Sequence, residues 1–286
     1  VVEACGAREF LFDKAVGSTL LADFAARDWA TDRRATLPDE INLFYRVQAA
    51  FTAAEVDAHR GGPVRQEDRF LPGIGLLVAR DKHFALAVKA GNNGESHNHN
   101  DVGSVILYKD GQPVLIDIGV ETYTARTFSA ERYDIWTMQS AWHNLPSFGG
   151  VMQRDGAEFA ARDVEVTLEP QVATFTADIA GAYPAEARLR SYRRRVTMYK
   201  GRNVVIEDTH DGDLAAELSL MFAVRPELGP ASLTLPGLAT IALDGAGRMR
   251  LEESAVTDAR LRTAWPERLY RVLVPFSGRR LRLAIT

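Results

Sequence analysis

Cysteine is almost absent. Cys5 is the only one in 286 residues, so no disulfide can form within the chain, and its redox compartment stays open. Long apolar runs are absent too: none approaches the roughly 18 residues that a membrane-spanning helix needs. Neither charge is in large excess. The 34 Lys and Arg stand against 38 Asp and Glu, for a formal net charge of −4, so nothing global points to nucleic acid. A polyanionic partner would need a local basic patch. Arg188, Arg190, Arg193, Arg194, Arg195 and Lys200 offer one, although the same run also reads as the solvated face of a strand pair. There is no internal repeat and no low-complexity tract.

What is present is the composition of a soluble globular protein, 46% hydrophobic and 25% charged, long enough for one large or two modest domains. No signal peptide is visible. The chain opens on Val1 rather than Met, so a fragment or processed product is expected, and a bacterial periplasmic or secreted protein is expected ahead of a cytoplasmic one.

Two regimes divide the sequence. Residues 1–62 read as helical. Pro38-Asp39 is a helix start, followed by Ile41, Phe44, Gln48 and Phe51 at three-to-four spacing and stopped by Gly61-Gly62-Pro63. An earlier helix is expected over 10–29. Two helices cannot form a core alone. From residue 63 to 286, short apolar runs alternate with turn signals such as Asp110-Gly111, Lys200-Gly201, Asp211-Gly212 and Asp244-Gly245. The pattern predicts a mainly β protein. A dozen or so antiparallel strands form a large β-sandwich behind a short helical segment.

The chemistry concentrates in His97-Asn98-His99-Asn100-Asp101. Three of the six histidines, His97, His99 and His143, lie in this stretch or shortly after it. Imidazoles two apart beside a carboxylate can bind a metal, move a proton, or both. The bland alternative is a set of hydrogen-bonded structural histidines. Asp117 sits between Ile116 and Ile118, where a buried carboxylate asks for a cation, whether metal, Lys or Arg. A three-residue hairpin loop at Lys109-Asp110-Gly111 would pair Tyr108 with Gln112 and put Asp117 on the face of His97 and His99. A two-residue Asp-Gly turn would put them on opposite faces. In a straight strand His99 would still stand roughly 13 Å from the level of Asp117, so the chain must bend between Asn100 and Gly103. If it does, His99, Asp117 and His143 make a two-nitrogen, one-oxygen zinc set, with Asp101 as a competing ligand.

Two H-x-H patterns match only in part. Gly91 and His97-x-His99 match the first half of the cupin metal motif, but Gly103 and Ser104 stand where cupins need Glu. The metallo-β-lactamase pattern H-x-H-x-D-H fails at Val102.

A longer stretch fits better. Asn93-Gly94-Glu95-Ser96-His97-Asn98-His99-Asn100-Asp101-Val102-Gly103-Ser104, then Tyr108-Lys109-Asp110-Gly111, Leu115-Ile116-Asp117-Ile118-Gly119 and Trp142-His143-Asn144 resemble the heparinase II/III-like polysaccharide lyases. The likeness runs from about Leu71 to Met152 and more loosely beyond, through Tyr192-Arg193-Arg194-Arg195. It implies an α/α toroid joined to an antiparallel β-sandwich, with residues 1–62 as the end of the toroid. It implies β-elimination on uronic-acid polysaccharides of glycosaminoglycan or alginate type. It also implies a catalytic role for His97 and a structural or site-organising zinc on His99, Asp117 and His143. The toroid normally supplies a catalytic Tyr, which is not placed in this chain. Glu95, Asn98, Tyr123 and Arg126 are candidate sugar contacts; Tyr133 could likewise line the cleft or lie in the core. The alternatives are a non-catalytic domain that binds acidic carbohydrate around a structural zinc, and a cupin-like metal enzyme. Neither a nucleic-acid partner nor a membrane span is expected.

Overall fold

The chain divides into two compact units, Val1–Gln66 and Glu67–Thr286. The computed structural model describes residues 67–286, together with Leu43, Val47, Phe51, residues 54–56, Ala58 and His59. In the first unit the described positions up to Ala58 are helical, inside the helix expected after Pro38. The helix expected over 10–29 lies outside the described residues.

The second unit is an antiparallel β structure, as the alternation predicts. One sheet has five strands in the order Arg69–Leu71, Leu76–Arg80, Phe84–Lys89, Val105–Lys109, Gln112–Leu115. The next has eight, in the order Glu227–Leu228, Ser232–Leu235, Ala239–Asp244, Arg280–Ile285, Asn203–Gly212, Leu189–Tyr199, Val172–Asp178, Arg162–Leu168. A four-stranded sheet orders Arg250–Ala255, Arg268–Pro275, Ala216–Phe222 and Pro146–Phe148, and Asn92–Asn93 pairs with Gly156–Ala160.

Period-two patterning sets which face is buried. In Phe84–Lys89 the residues Phe84, Leu86 and Val88 point inward while the alternate ones are half-buried. These inward faces meet in one core that draws on all three large sheets, through Leu77, Leu86, Leu107, Phe148, Phe175, Tyr192, Leu220 and Leu283. A smaller cluster holds Ile116 and Ile118, the residues on either side of Asp117 in sequence, with Met221 and Leu269, and is flanked by Trp136, Trp142 and Trp265. Asp117 is thus held by its two buried neighbours.

The hairpin departs from expectation. Lys109 pairs with Gln112, so the turn has two residues, Asp110 and Gly111, both at positive φ (50° and 76°). Asp-Gly suits the mirror-image turn whose twist matches that of the strands, and that preference overrides the three-residue loop. The register then shifts between Tyr108↔Pro113 and Leu107↔Leu115, so Val114 is an extra, bulged residue. The bulge restores the parity that the two-residue turn removes. The strand ends at Leu115 rather than Ile118, and Ile116 N–H donates instead to Met221 O at 3.1 Å. Asp117 is therefore carried from one sheet toward another, not paired with Gly103.

The basic run is also not a free patch. Arg190 pairs with Asp211 and Asp213, Lys200 with Asp68, and Arg193 reaches Glu165 at 3.8 Å. Arg194 is buried in the core. Over Tyr192–Val196 the strand alternates, with Tyr192, Arg194 and Val196 inward and Arg193 and Arg195 exposed, which splits a run that is contiguous in sequence.

Candidate active site

The His-Asn-His-Asn-Asp segment is an irregular loop held by amide side chains. Gln153 is buried and clamps it: Nε2 donates to Val102 O at 2.7 Å, and Oε1 accepts from Val102 N–H and from Asn93 Nδ2, each at 3.1 Å. Asn93 Oδ1 accepts from Asp101 N–H at 3.2 Å. Asn98 is buried too. Its amide donates to Asn93 O and His99 O and accepts from Tyr133 Oη at 2.7 Å. Arg132 donates to Asn98 O at 2.8 Å and to Thr127 O at 2.9 Å. Asn98 thus supports the loop rather than facing outward, and Tyr133 serves it through its hydroxyl.

The bend required after Asn100 is a tight turn. Ser104 N–H donates to Asp101 O at 2.9 Å, and Gly103 has φ +90°. A Cβ at Gly103 would stand 2.7 Å from Ile179 Cδ1, so both conformation and space demand glycine. Asn144 makes the matching tie on the other side. Its Nδ2 donates to Val105 O (2.7 Å) and Ile116 O (2.9 Å), and its Oδ1 accepts from Met221 N–H (2.8 Å). His143 and Asp117, each one residue from a tied position, are fixed as a consequence.

These ties bring His99, Asp117 and His143 together: one ligand atom from each lies within 4.8 Å of the others. His143 Nδ1 is 3.1 Å from Asp117 Oδ2. The His99 and His143 rings are 5.3 Å apart at 58°. His143 Nε2 is buried without a hydrogen-bond partner, an unmet requirement that a cation would satisfy. Two imidazoles and a carboxylate are also a donor set that binds metal. The residues therefore fit a metal ion. Asp101, the competing ligand, lies outside this group; its Oδ1 is 2.5 Å from Lys89 Nζ. Glu95 reaches the same ammonium at 3.5 Å.

Electrostatics agree with that division. Burial, then the charge of His143, lowers the pKa of His99 to about 4, leaving its nitrogens free for coordination at neutral pH. Burial opposes charge on Asp117 and His143 as well, but each is outweighed by the other: the carboxyl is held well below its usual range and the imidazole above. Burial likewise works against the Lys89 ammonium, and the carboxylates of Asp101 and Glu95 more than offset it.

His97 stands apart from this group. It is exposed, in the left-handed region at φ +59°, and its ring makes no hydrogen bond to the described residues. It lies parallel to Tyr123, at 6.2 Å and 7°. Tyr123 in turn meets Phe128 edge-on at 5.4 Å, and both are exposed, 38% and 67%. Arg126 is half-exposed and reaches Glu131 at 3.6 Å and Asp134 at 3.8 Å. Sequence reasoning did not single out Gln153, Arg132 or Arg194. A lone Gln beyond the motif carries no pattern, and Arg194 was hidden inside the basic run.

A sequence profile described as "Heparinase II/III-like, C-terminal" matches residues 63–276. The chain belongs to this family. Three solved structures share its fold. Heparinase III (BT4657 gene product) has a TM-score of 0.62 at 17% identity, over 91% of this chain and 41% of that one. Heparan sulfate lyase HepC from Pedobacter heparinus gives 0.62 at 18%, over 92% and 41%. Chondroitin AC lyase from Streptomyces coelicolor, solved with chondroitin sulphate, gives 0.51 at 11%, over 84% and 35%. The chain thus spans about two fifths of the length of the first two. No curated protein sequence matches closely enough to add another relationship. The family match displaces the cupin-like alternative.

Proposed function

We propose that this chain is the β-domain portion of a polysaccharide lyase that cleaves a uronic-acid polysaccharide, of glycosaminoglycan or alginate type, by β-elimination. Residues 1–62 are assigned to the end of the α/α toroid and 63–286 to the β-sandwich. The observation that carries the reading is the exposed imidazole of His97, without a hydrogen bond to the described residues and two residues from the His99–Asp117–His143 cluster, of which His143 is buried and the other two half-buried.

The reaction removes the C5 proton of the uronate, forms the C4–C5 double bond and expels the glycosidic oxygen, which takes up a proton. Charge that develops on the uronate carboxylate must be neutralised. His97 acts as base or as the stabiliser of that charge. Zinc is the ion assigned to His99, Asp117 and His143, where its contribution is to fix the two loops that carry them. Tyr123 lies beside His97 as a sugar contact, with Glu95 and Arg126 as further candidate contacts.

The test follows ultraviolet absorbance from the new double bond. The longest form of the protein is incubated with heparan sulfate, chondroitin, hyaluronan and alginate. Product from one polymer is expected, and His97→Ala should remove most of it, on the order of 100-fold or more, with metal content unchanged. Equal activity in His97→Ala sinks the role of His97. Binding of acidic polymer without any product favours a non-catalytic carbohydrate-binding domain.

A further inference from the structure

Arg260 is not part of the family-like motifs, yet it reaches the ring that accompanies His97. Its guanidinium carbon lies over Tyr123, 5.0 Å from the ring centroid. Arg260 is exposed and meets no carboxylate among the described residues. Its neighbours differ: Arg262 reaches Glu267 and donates to Trp265 O, Arg126 reaches Glu131 and Asp134, and Arg132 is occupied by backbone carbonyls.

The backbone that presents Arg260 is fixed at several points. Asp258 Oδ1 accepts from Leu261 N–H at 3.0 Å, and its Oδ2 accepts from Thr122 N–H at 3.1 Å. The acid nearest in sequence is thus committed to main-chain amides, one of which adjoins Tyr123. Leu261 is buried. Trp265 Nε1 donates to Ile118 O at 2.8 Å, which joins the same turn to the segment carrying Asp117. An aromatic face attracts a cation without neutralising it. A guanidinium held over a ring, on a tethered turn, with no carboxylate on it, keeps its fork of donors free for an anionic group of matching geometry.

We propose that Arg260, seated on Tyr123 beside His97, is an anionic subsite that grips the carboxylate or sulfate of the bound polysaccharide. The inference rests on the lyase reading for the nature of the ligand. It adds a specificity-determining residue from a turn more than 130 positions beyond Tyr123 in the chain. Arg260 acts by binding; the proton transfers belong elsewhere.

The test is equilibrium binding of the whole chain to size-defined oligosaccharides of heparan sulfate and of alginate, by titration calorimetry at low and at physiological salt. Arg260→Ala should bind about tenfold weaker or worse, with a shallower salt dependence and an unchanged melting temperature. Arg260→Lys should keep the salt dependence but recover only part of the affinity. Loss with both polymers identifies the uronate carboxylate as the ligand; loss confined to heparan sulfate identifies the sulfate ester. Unchanged affinity in Arg260→Ala, or no binding of either polymer by the wild-type chain, overturns the subsite. Ultraviolet assays on the longest form judge the lyase reading separately. Equal KM in wild type and Arg260→Ala sinks the subsite alone, while binding that depends on Arg260 without double-bond product upholds it and sinks the elimination.

Discussion

His99, Asp117 and His143 share one small volume, and their proton affinities are pulled apart. His99 is the group that resists protonation, with its pKa lowered to about 4, first by burial and then by His143. In the unfolded chain a histidine titrates near 6.5. Between those values the unfolded state binds more protons, so the stability of metal-free protein falls as pH drops from about 6.5 to about 4. His143 does not cancel this. Its pKa is raised, so its contribution is fully present below 6.5 and is lost as pH rises through its folded value. Urea melts of chelated protein across this range should show the decline, and His99→Asn should make it shallower, with a remainder from His210, whose pKa burial also lowers. Asp101, whose carboxyl burial pushes up, works in the opposite direction, so the difference between the two profiles is the measure: identical slopes in wild type and His99→Asn would remove the burial argument for His99. A metal ion that binds His143 at Nε2, the nitrogen without a partner, must displace the second proton that the raised pKa keeps on the ring, so calorimetric affinity should tighten with rising pH, with proton release to buffer.

At the scale of elements, the loops matter more than the strands. The alternating runs Leu76–Ala79, Phe84–Val88 and Val105–Tyr108 were legible because period-two burial is written into single strands. Pro146–Phe148 and Glu227–Leu228 were not, since three and two residues hold no period. The hairpin misled for a physical reason: Val114 is an ordinary strand residue whose bulge depends on what its partners do. The gathering of His99, Asp117 and His143 was suggested by residue types and by resemblance. The amide clamp of Gln153 was not legible, because it comes from 52 positions beyond Asp101 and only the fold brings it there. Gly103 is the element-scale test. Gly103→Ala places a methyl 2.7 Å from Ile179 Cδ1 at φ +90°, which should cost about 1–3 kcal/mol. The strain falls on the turn that returns His99 to the cluster. Metal occupancy should therefore fall together with the melting temperature, and full occupancy at reduced stability would show that the turn is not what positions His99.

Across the whole molecule, Arg194 links the eight-stranded sheet to both halves of the site. Its side chain and that of Asp208 are buried, 1% and 0% exposed, and joined by two hydrogen bonds of 2.8 and 2.7 Å. The remaining nitrogen, Nη1, donates to Gly103 O at 2.9 Å and to Asn144 O at 2.7 Å. Those carbonyls belong to the turn after His99 and to the residue after His143. A lysine offers no such fork and cannot span the carboxylate and both carbonyls. Arg194→Met leaves a carboxylate buried and unpaired, at a cost of about 3–5 kcal/mol. The double variant Arg194→Met, Asp208→Leu removes that charge, so much of the stability should return. The carbonyls of Gly103 and Asn144 remain without their donor in both variants. Thermal melts and metal titrations should therefore diverge: the double variant regains melting temperature but binds metal more weakly than wild type. Recovery of both would make Arg194 only a core ion pair. Recovery of stability alone would make it the strut that transmits the rigidity of the sheet to the histidine cluster.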